Sequence, residues 1–570
     1  YEYGANGQAM RVEDKNLNRV QQVEYDLAER PMQKTIRDLN TEELIYRTTL
    51  QYDGKNRLKD SSEQTAEGSH RTSYTYDKDD RTTAIQYDDA NHKVEYTYDA
   101  LNRITARKVT NGTNAYETKY GYVAGNTTKY GAGATTPLIS TITQGADANA
   151  MNFGYTYDSR GNITSETRNG KKTTYSYDAL GQLIRVNDPH ENATWVYNYD
   201  RGGNILSKSY YAYTTGTPGT AVDTITYSYT DSNWKDKLTA YDGQTITYDA
   251  IGNPLNDGTW TYTWEKGRQL KQMSKSGMTV EFKYDHNGLR TQKKVTSGSE
   301  VTTTEYTLHG KLVTHLTRGS DKLHFFYDAQ SRPAMVDFNG VLYSYVHNLQ
   351  GDVVGIVDSA GRLVVEYKYD AWGKPILVRT LTTAYEMLAE LNPFRYRGYV
   401  YDEETGLYYL RSRYYSMTEM RFLNCDSLAN YNTFVYCLNA PLLLSDSSGT
   451  SPSPTPPPIP QITPAPSRPE NWDEAYRQQM AREKAAEMIK TLAQKVYEIA
   501  QTIRYKIWEA YAKATAIDIT EKLQTAMEEN YNYLVDYYNT KKAESGAIIA
   551  YIATNLEFAR KVRSGGDWDY

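Results

Sequence analysis

The feature that most limits what this chain can become is a repeated Tyr-x-Tyr-Asp, followed by a turn and a short apolar strand. It occurs as Tyr74-Thr75-Tyr76-Asp77, Tyr96-Thr97-Tyr98-Asp99, Tyr155-Thr156-Tyr157-Asp158, Tyr175-Ser176-Tyr177-Asp178 and Tyr367-Lys368-Tyr369-Asp370. Looser Tyr-Asp pairs start at Tyr25, Tyr52, Tyr87, Tyr199, Tyr248, Tyr284, Tyr327 and Tyr401. Dense copies recur roughly every 20 to 22 residues, as at Tyr157, Tyr177 and Tyr199, a period that marks stacked supersecondary units. In Val94-Glu95-Tyr96-Thr97-Tyr98 the apolar positions alternate, which is the rhythm of a strand with one packed face. Asp99 can then accept hydrogen bonds from the turn it starts, and Gly or Asn supplies the positive φ such turns need. Gly161-Asn162, Gly202-Gly203-Asn204 and Gly252-Asn253 hold the equivalent place. Each unit is predicted to be a hairpin. A catalytic or metal-binding role for Tyr-Asp is excluded by its number, because more than a dozen copies make a scaffold.

Tyrosine usage supports the same reading. The 570 residues contain 55 Tyr against 9 Phe. A phenol suits a half-wet sheet, packing its ring on cross-strand neighbours while its hydroxyl reaches water or backbone. The net charge of −6, with Lys and Arg spread along the chain, argues against a nucleic-acid-binding shell. No run of about 18 apolar residues exists to span a membrane. The chain starts inside repeat-like sequence at Tyr1-Glu2-Tyr3 without a signal peptide, so its N-terminus and any export signal are expected upstream. Cys425 and Cys437 are too few for a disulfide framework, and two buried free thiols are expected. The eight His stand singly in strand-like sequence and read as structural. P-loop, metalloprotease-helix and CxxC patterns are absent, and Gly131-Ala132-Gly133-Ala134 lacks the context of a dinucleotide fingerprint. No cofactor or metal is expected.

The repeats resemble the YD repeats of Rhs proteins, of insecticidal toxin-complex C components and of teneurins, over about residues 1–450. Denser motifs follow residue 325: Tyr345-Val346-His347-Asn348-Leu349-Gln350-Gly351-Asp352, Tyr369-Asp370-Ala371-Trp372-Gly373, Phe394-Arg395-Tyr396-Arg397-Gly398 and Leu407-Tyr408-Tyr409-Leu410-Arg411-Ser412-Arg413-Tyr414-Tyr415. This run is similar to the Rhs-associated core domain. The resemblance implies a mainly β fold, a spiral of hairpins forming a hollow shell around a cargo polypeptide. It also implies that the core closes the shell and cuts its own chain with two aspartates and a supporting arginine. Matched block by block, these are Arg413, Asp426 in Arg421-Phe422-Leu423-Asn424-Cys425-Asp426, and Asp446 in Asp446-Ser447-Ser448-Gly449. The implied cut falls between Thr450 and Ser451. Two carboxylates brought close cannot both ionise easily, so one keeps a proton while the other activates water, and Arg413 can fix a carboxylate by a bidentate contact. The family pattern has proline after each aspartate. Here Ser427 and Ser447 stand there, with Thr450 where leucine is usual. Proline fixes the backbone leaving each aspartate, so these departures bear on the rate of cleavage, which remains the expected activity.

Residues 451–470 hold nine of the chain's 18 prolines and read as an extended linker. Beyond them Ala485, Met488, Leu492, Val496, Ile499 and Ile503 repeat at helical spacing. The expected organisation is a shell over 1–324, a closing core over 325–450, a linker over 451–470, a helical pre-toxin region over 471–563 and the start of a toxin over 564–570. The final residues, from Ala559 through Gly565-Gly566-Asp567-Trp568-Asp569-Tyr570, resemble the opening of a type 44 polymorphic toxin, which implies a nuclease-like activity. The implied function is a secreted or cell-surface bacterial toxin shell, used in bacterial competition. Its partners would be its own C-terminal cargo, an immunity protein and a delivery apparatus. A non-enzymatic adhesive or glycan-binding repeat protein is the alternative, and a C component of an insecticidal complex is a third reading.

Overall fold

A computed structural model describes residues 1–454, apart from 5–7, 67, 126–132, 146–149 and 427–431. Most of the linker, the helices expected over 471–563 and the stretch over 564–570 lie outside the described residues. No helix among the described residues is long and apolar enough to cross a membrane.

The turn after each Tyr-Asp explains the repeat. Asp99 Oδ1 accepts the N–H groups of Leu101 and Arg103 at 2.9 and 3.0 Å, and Oδ2 accepts Arg103 Nε at 2.8 Å. Asn102, three residues after the aspartate, has a φ of +63°. The same geometry recurs after Asp158, where Asn162 replaces the arginine and Gly161 takes the positive φ. The tyrosine before each aspartate then ties its unit to an earlier one. Tyr98 donates its hydroxyl to Thr82 O at 2.6 Å, Tyr157 to Ile139 O at 2.6 Å, and Tyr199 to Leu183 O at 2.6 Å. Phenylalanine cannot make this bond, which accounts for tyrosine at these positions. Arginines of one turn also lie over the tyrosine of the next, with Arg81 4.6 Å above Tyr98 and Arg103 3.9 Å above Tyr122. Tyr98→Phe is expected to leave the Thr82 carbonyl unpaired and cost about 1 kcal/mol in chemical denaturation.

Two of the looser Tyr-Asp pairs are not repeat turns. Tyr87 is fully buried and donates to Tyr327 O at 2.8 Å, while Asp88 Oδ1 accepts the N–H of Arg71. Asp402 is fully buried against Arg290 and Lys293. In both, a long-range partner and not the local turn sets the conformation.

Hairpin after hairpin, the strands pair antiparallel with their sequence neighbours. One sheet of 21 strands runs from Glu2–Tyr3 to Gln244–Thr245, and a second of 14 strands from Thr247–Tyr248 to Pro375–Thr380. The second sheet continues across residue 325 without a break. The sheets meet through apolar faces: Ile85, Val94 and Ile104 pack with Phe326 and Met335, and Ile142 and Phe153 with Val346 and Val354. Polar ties cross the same seam, such as Gln144 Nε2 to His347 O at 2.7 Å and Arg168 to Glu366 at 2.9 Å. After Thr380 a short helix, Glu386–Leu391, leads into a four-stranded sheet of Val400–Asp402, Leu407–Tyr409, Tyr414–Ser416 and Arg421–Phe422. Trp372, Tyr408, Tyr415, Phe422 and Tyr436 of this closing region bury against Leu183, Tyr197 and Tyr227 of the first sheet. Leu388, Phe394, Tyr409 and Tyr414 bury against the second. Both cysteines are buried and free, as expected.

The seam also holds acid groups. Burial, with the Asp352 carboxylate nearby, pushes Glu166 up to about 7. A carboxyl raised in the folded state stabilises the fold below its unfolded value of about 4.3, and that contribution is lost as pH rises toward the folded value. Glu166→Gln is therefore expected to raise the melting temperature at pH 8 and to give no gain at pH 4. The gap between about 4.3 and about 7 makes the effect at pH 8 on the order of 3 kcal/mol.

Candidate functional site

The three residues assigned by resemblance come together. Arg413 ends a tight turn in which the Leu410 N–H donates to Arg413 O at 2.9 Å and Arg411 takes a φ of +67°. The strand Tyr414–Ser416 begins at the next residue. The Arg413 guanidinium stacks 3.6 Å above the Phe422 ring, which leaves its nitrogens in one plane to reach sideways. Nη2 stands 2.9 Å from Asp426 Oδ2 and 3.7 Å from Asp446 Oδ2. Nη1 donates to Thr433 O at 3.0 Å, and Nε donates to Gly449 O. All three side chains are buried, at 5% exposure for Arg413, 6% for Asp426 and 1% for Asp446. Burial pulls the Arg413 guanidinium down to about 10 against the opposing pull of the two carboxylates, so it stays charged at neutral pH.

Asp446 organises the loop that carries the expected cut. Ser445 pairs with Ser453 and Leu444 with Pro454, so the chain folds back on itself. Inside this loop Asp446 Oδ1 accepts N–H groups from Gly449 at 2.8 Å, Thr450 at 3.1 Å, and Ser448 and Ser451 at 3.3 Å. The Ser448 hydroxyl donates to the same oxygen at 3.0 Å. The Thr450–Ser451 peptide nitrogen thus lies against one carboxylate. Asp446 Oδ2 is buried without a hydrogen-bond partner among the described residues. Gly449 has a φ of +72°, and a Cβ there would stand 2.7 Å from both Leu410 O and Ser412 Oγ. Ser427 lies outside the described residues. After Asp446, where the family pattern has proline, these N–H donors hold the loop.

Residues not singled out from sequence complete the setting. The Asp446 N–H donates to the Tyr399 hydroxyl at 2.7 Å, and the Asp426 N–H to Thr433 O at 2.8 Å. Asp236 Oδ2 accepts the Thr433 N–H and hydroxyl at 2.6 and 2.8 Å. Arg268 Nη1 donates to Cys425 O at 2.8 Å, bringing a second cation beside Asp426 in the chain. Ser448 had a local signal, since Ser after Asp-x favours turns. Tyr399, Asp236 and Arg268 reach the site from far along the chain and carried none.

Comparison with known proteins agrees with this architecture. The teneurin YD-shell family model matches residues 127–439. The tRNA3(Ser)-specific nuclease WapA of Bacillus spizizenii is 35% identical over 286 residues, which cover 48% of this chain and 12% of that protein. The toxin subunit YenC1 of Yersinia entomophaga is 24% identical over 372 residues, covering 52% of this chain and 37% of that one. The crystal structure of TcdB2-TccC3-TEV superposes with a TM-score of 0.62 at 19% identity, covering 78% of this chain and 24% of the other. The chain therefore spans only a minor part of the relatives it matches. With the family model covering more than half of its residues and the Tyr-Asp hairpins on display, this chain belongs to the teneurin YD-shell family as a YD-repeat shell of the Rhs type.

Proposed function

We propose that this chain is the shell of an Rhs-type polymorphic toxin, and that it frees its C-terminal segment by aspartic autoproteolysis between Thr450 and Ser451 for use against competing bacteria. The observation that carries the reading is the 3.3 Å contact between Asp446 Oδ1 and the Ser451 N–H, with Arg413 linking Asp446 to Asp426. Asp426 acts as the base. It takes a proton from a water whose oxygen attacks the Thr450 carbonyl carbon. Asp446 serves as the acid, giving a proton to the Ser451 nitrogen as the C–N bond breaks and leaving an acid at Thr450 and an amine at Ser451. Arg413 keeps the Gly449 carbonyl in place and compensates the Asp426 charge.

Residues 325–450 then form the closing lock, and 451–470 is the tether that leaves with 471–563 and 564–570. Relatives named as a tRNA nuclease and a toxin subunit support a toxic cargo, with an immunity protein, a delivery apparatus and a secreted or surface location as its companions. The test is to express the chain and resolve it on a denaturing gel. Wild type is expected to appear as a shell band and a tail band, and Asp426→Asn as one full-length band. Wild type that stays full length, or an Asp426→Asn variant cut to the same extent, would overturn the proposal and favour an uncut adhesive role.

A further inference from the structure

We propose that His70, His315 and His324 form a binding site for a borderline-soft divalent metal ion, Zn2+ in the first place, which staples the first sheet to the second. The three lie far apart in sequence but converge on one point. His315 and His324 are directly opposed on the antiparallel strands Leu312–Arg318 and Asp321–Tyr327. Opposed positions put both side chains on one face. His70, on the strand Ser69–Tyr76 of the other sheet, is likewise opposed to Glu63 on Leu58–Gln64. The His70 ring stacks on His324 with centroids 3.8 Å apart, and the His315 ring lies 4.3 Å from His324.

One ligand atom from each histidine falls within 4.8 Å of the other two. A tetrahedral Zn2+ with bonds of about 2.0–2.1 Å needs its ligands roughly 3.4 Å apart, so rotation of the half-buried His70 and His315 rings by about an ångström closes the set. His315 Nε2 and His324 Nδ1 already stand 2.8 Å apart. Two nitrogens so placed share one hydrogen, or one cation.

Two of the remaining ring nitrogens have polar partners, as in metal sites, where a ligating histidine gives its other nitrogen to a carboxylate, a backbone carbonyl or water. His70 Nδ1 lies 2.8 Å from Asp88 Oδ2. His315 Nδ1 lies 3.1 Å from Thr314 Oγ1 and 3.9 Å from Glu63 Oε2. Asp88 thus leaves His70 Nε2 for the ion. The donor set becomes His70 Nε2, His315 Nε2 and His324 Nδ1, with a fourth position for water. Burial, helped by the two neighbouring imidazoles, holds His324 well below the ordinary histidine value, which keeps it neutral and able to ligate. Three imidazoles favour Zn2+, Ni2+, Co2+ or Cu2+ over the oxygen-seeking Mg2+ and Ca2+. An ion there joins strands more than 200 residues apart, as the 70-to-315 separation requires.

The test uses the 570-residue chain, stripped of metal with EDTA, dialysed and titrated with Zn2+ alone by calorimetry. One Zn2+ per chain is expected, with a melting temperature raised by a few degrees, and Co2+ in its place should give the intense visible bands of a tetrahedral site. His70→Gln should abolish that stoichiometric binding while melting like the metal-free wild type. Asp88→Asn, which keeps every ligand, should weaken binding roughly 10- to 100-fold, so the proposal stays testable if His70→Gln fails to fold. Absence of stoichiometric Zn2+ binding, or binding equal in wild type and Asp88→Asn, would overturn it.

Discussion

Asp446→Asn is expected to slow release of the segment beyond Thr450 by about 10²- to 10⁴-fold, the usual worth of a positioned acid or base. The substitution separates two jobs of one side chain. An amide oxygen can still accept the Gly449 and Thr450 N–H groups that now reach Asp446 Oδ1 at 2.8 and 3.1 Å, so the loop keeps its shape. It has no proton to give to the Ser451 nitrogen. Asp446→Ala, by contrast, removes the acceptor as well and strands those N–H groups in a buried loop, confounding shape with chemistry. A time course in cell-free translation, following the full-length band on a denaturing gel, measures the difference. Ser448→Ala removes only one donor to Asp446 and should slow cutting far less.

The second large effect concerns stability. Asp402→Ala is expected to lower the unfolding free energy by about 3–5 kcal/mol, the cost of leaving buried charge uncompensated. Arg290 Nη2 meets Asp402 Oδ1 at 3.0 Å and Lys293 Nζ meets it at 3.1 Å. Asp402 is 0%, Arg290 2% and Lys293 6% exposed. The pair joins the second sheet to the closing region, and its loss leaves an arginine among Phe282, Tyr306 and Tyr409. The exposed pair Lys55–Asp80, at 56% and 47% side-chain exposure, should contribute about 0–1 kcal/mol. Burial by itself would raise the Asp402 carboxyl, but Arg290 and Lys293 overcome it and hold the group below its ordinary value. Its contribution is thus complete above about pH 4 and is lost as pH falls through the lower folded value. Denaturant titrations at pH 7 measure the first claim, and acid unfolding measures the second.

What could be read beforehand follows from the range of each interaction. The hairpin repeat was legible because its determinants are local: an aspartate, a positive-φ residue three later and, in many units, an Arg, Asn or Gln four later, as at Asp99 with Asn102 and Arg103. Tyr87-Asp88 and Tyr401-Asp402 share the dipeptide but not the residue four later, where His92 and Gly406 stand. Tyr284-Asp285 also lacks that donor, with Leu289 in its place, and still forms the turn, so the local sequence did not separate them. Arg413, Asp426 and Asp446 were reached through the resemblance of ordered motif blocks, since nothing local says that three polar residues spread over 33 positions will share one guanidinium. Histidines that look scattered along the chain gave no sign that His70 meets His315 and His324, because that meeting depends on how two sheets fold onto each other. The tyrosine excess was read as a half-wet sheet whose hydroxyls reach water or backbone. The backbone partner is specific, an earlier carbonyl for the tyrosine of units such as Tyr98, Tyr157 and Tyr199.

The most direct measurement is the N-terminal sequence and intact mass of whatever tail separates from the shell. A tail beginning at Ser451, absent from Asp426→Asn and Asp446→Asn, is the result expected if the three buried residues cut the chain. A chain that stays whole under native conditions, or a tail with a different first residue that persists in both variants, would contradict it.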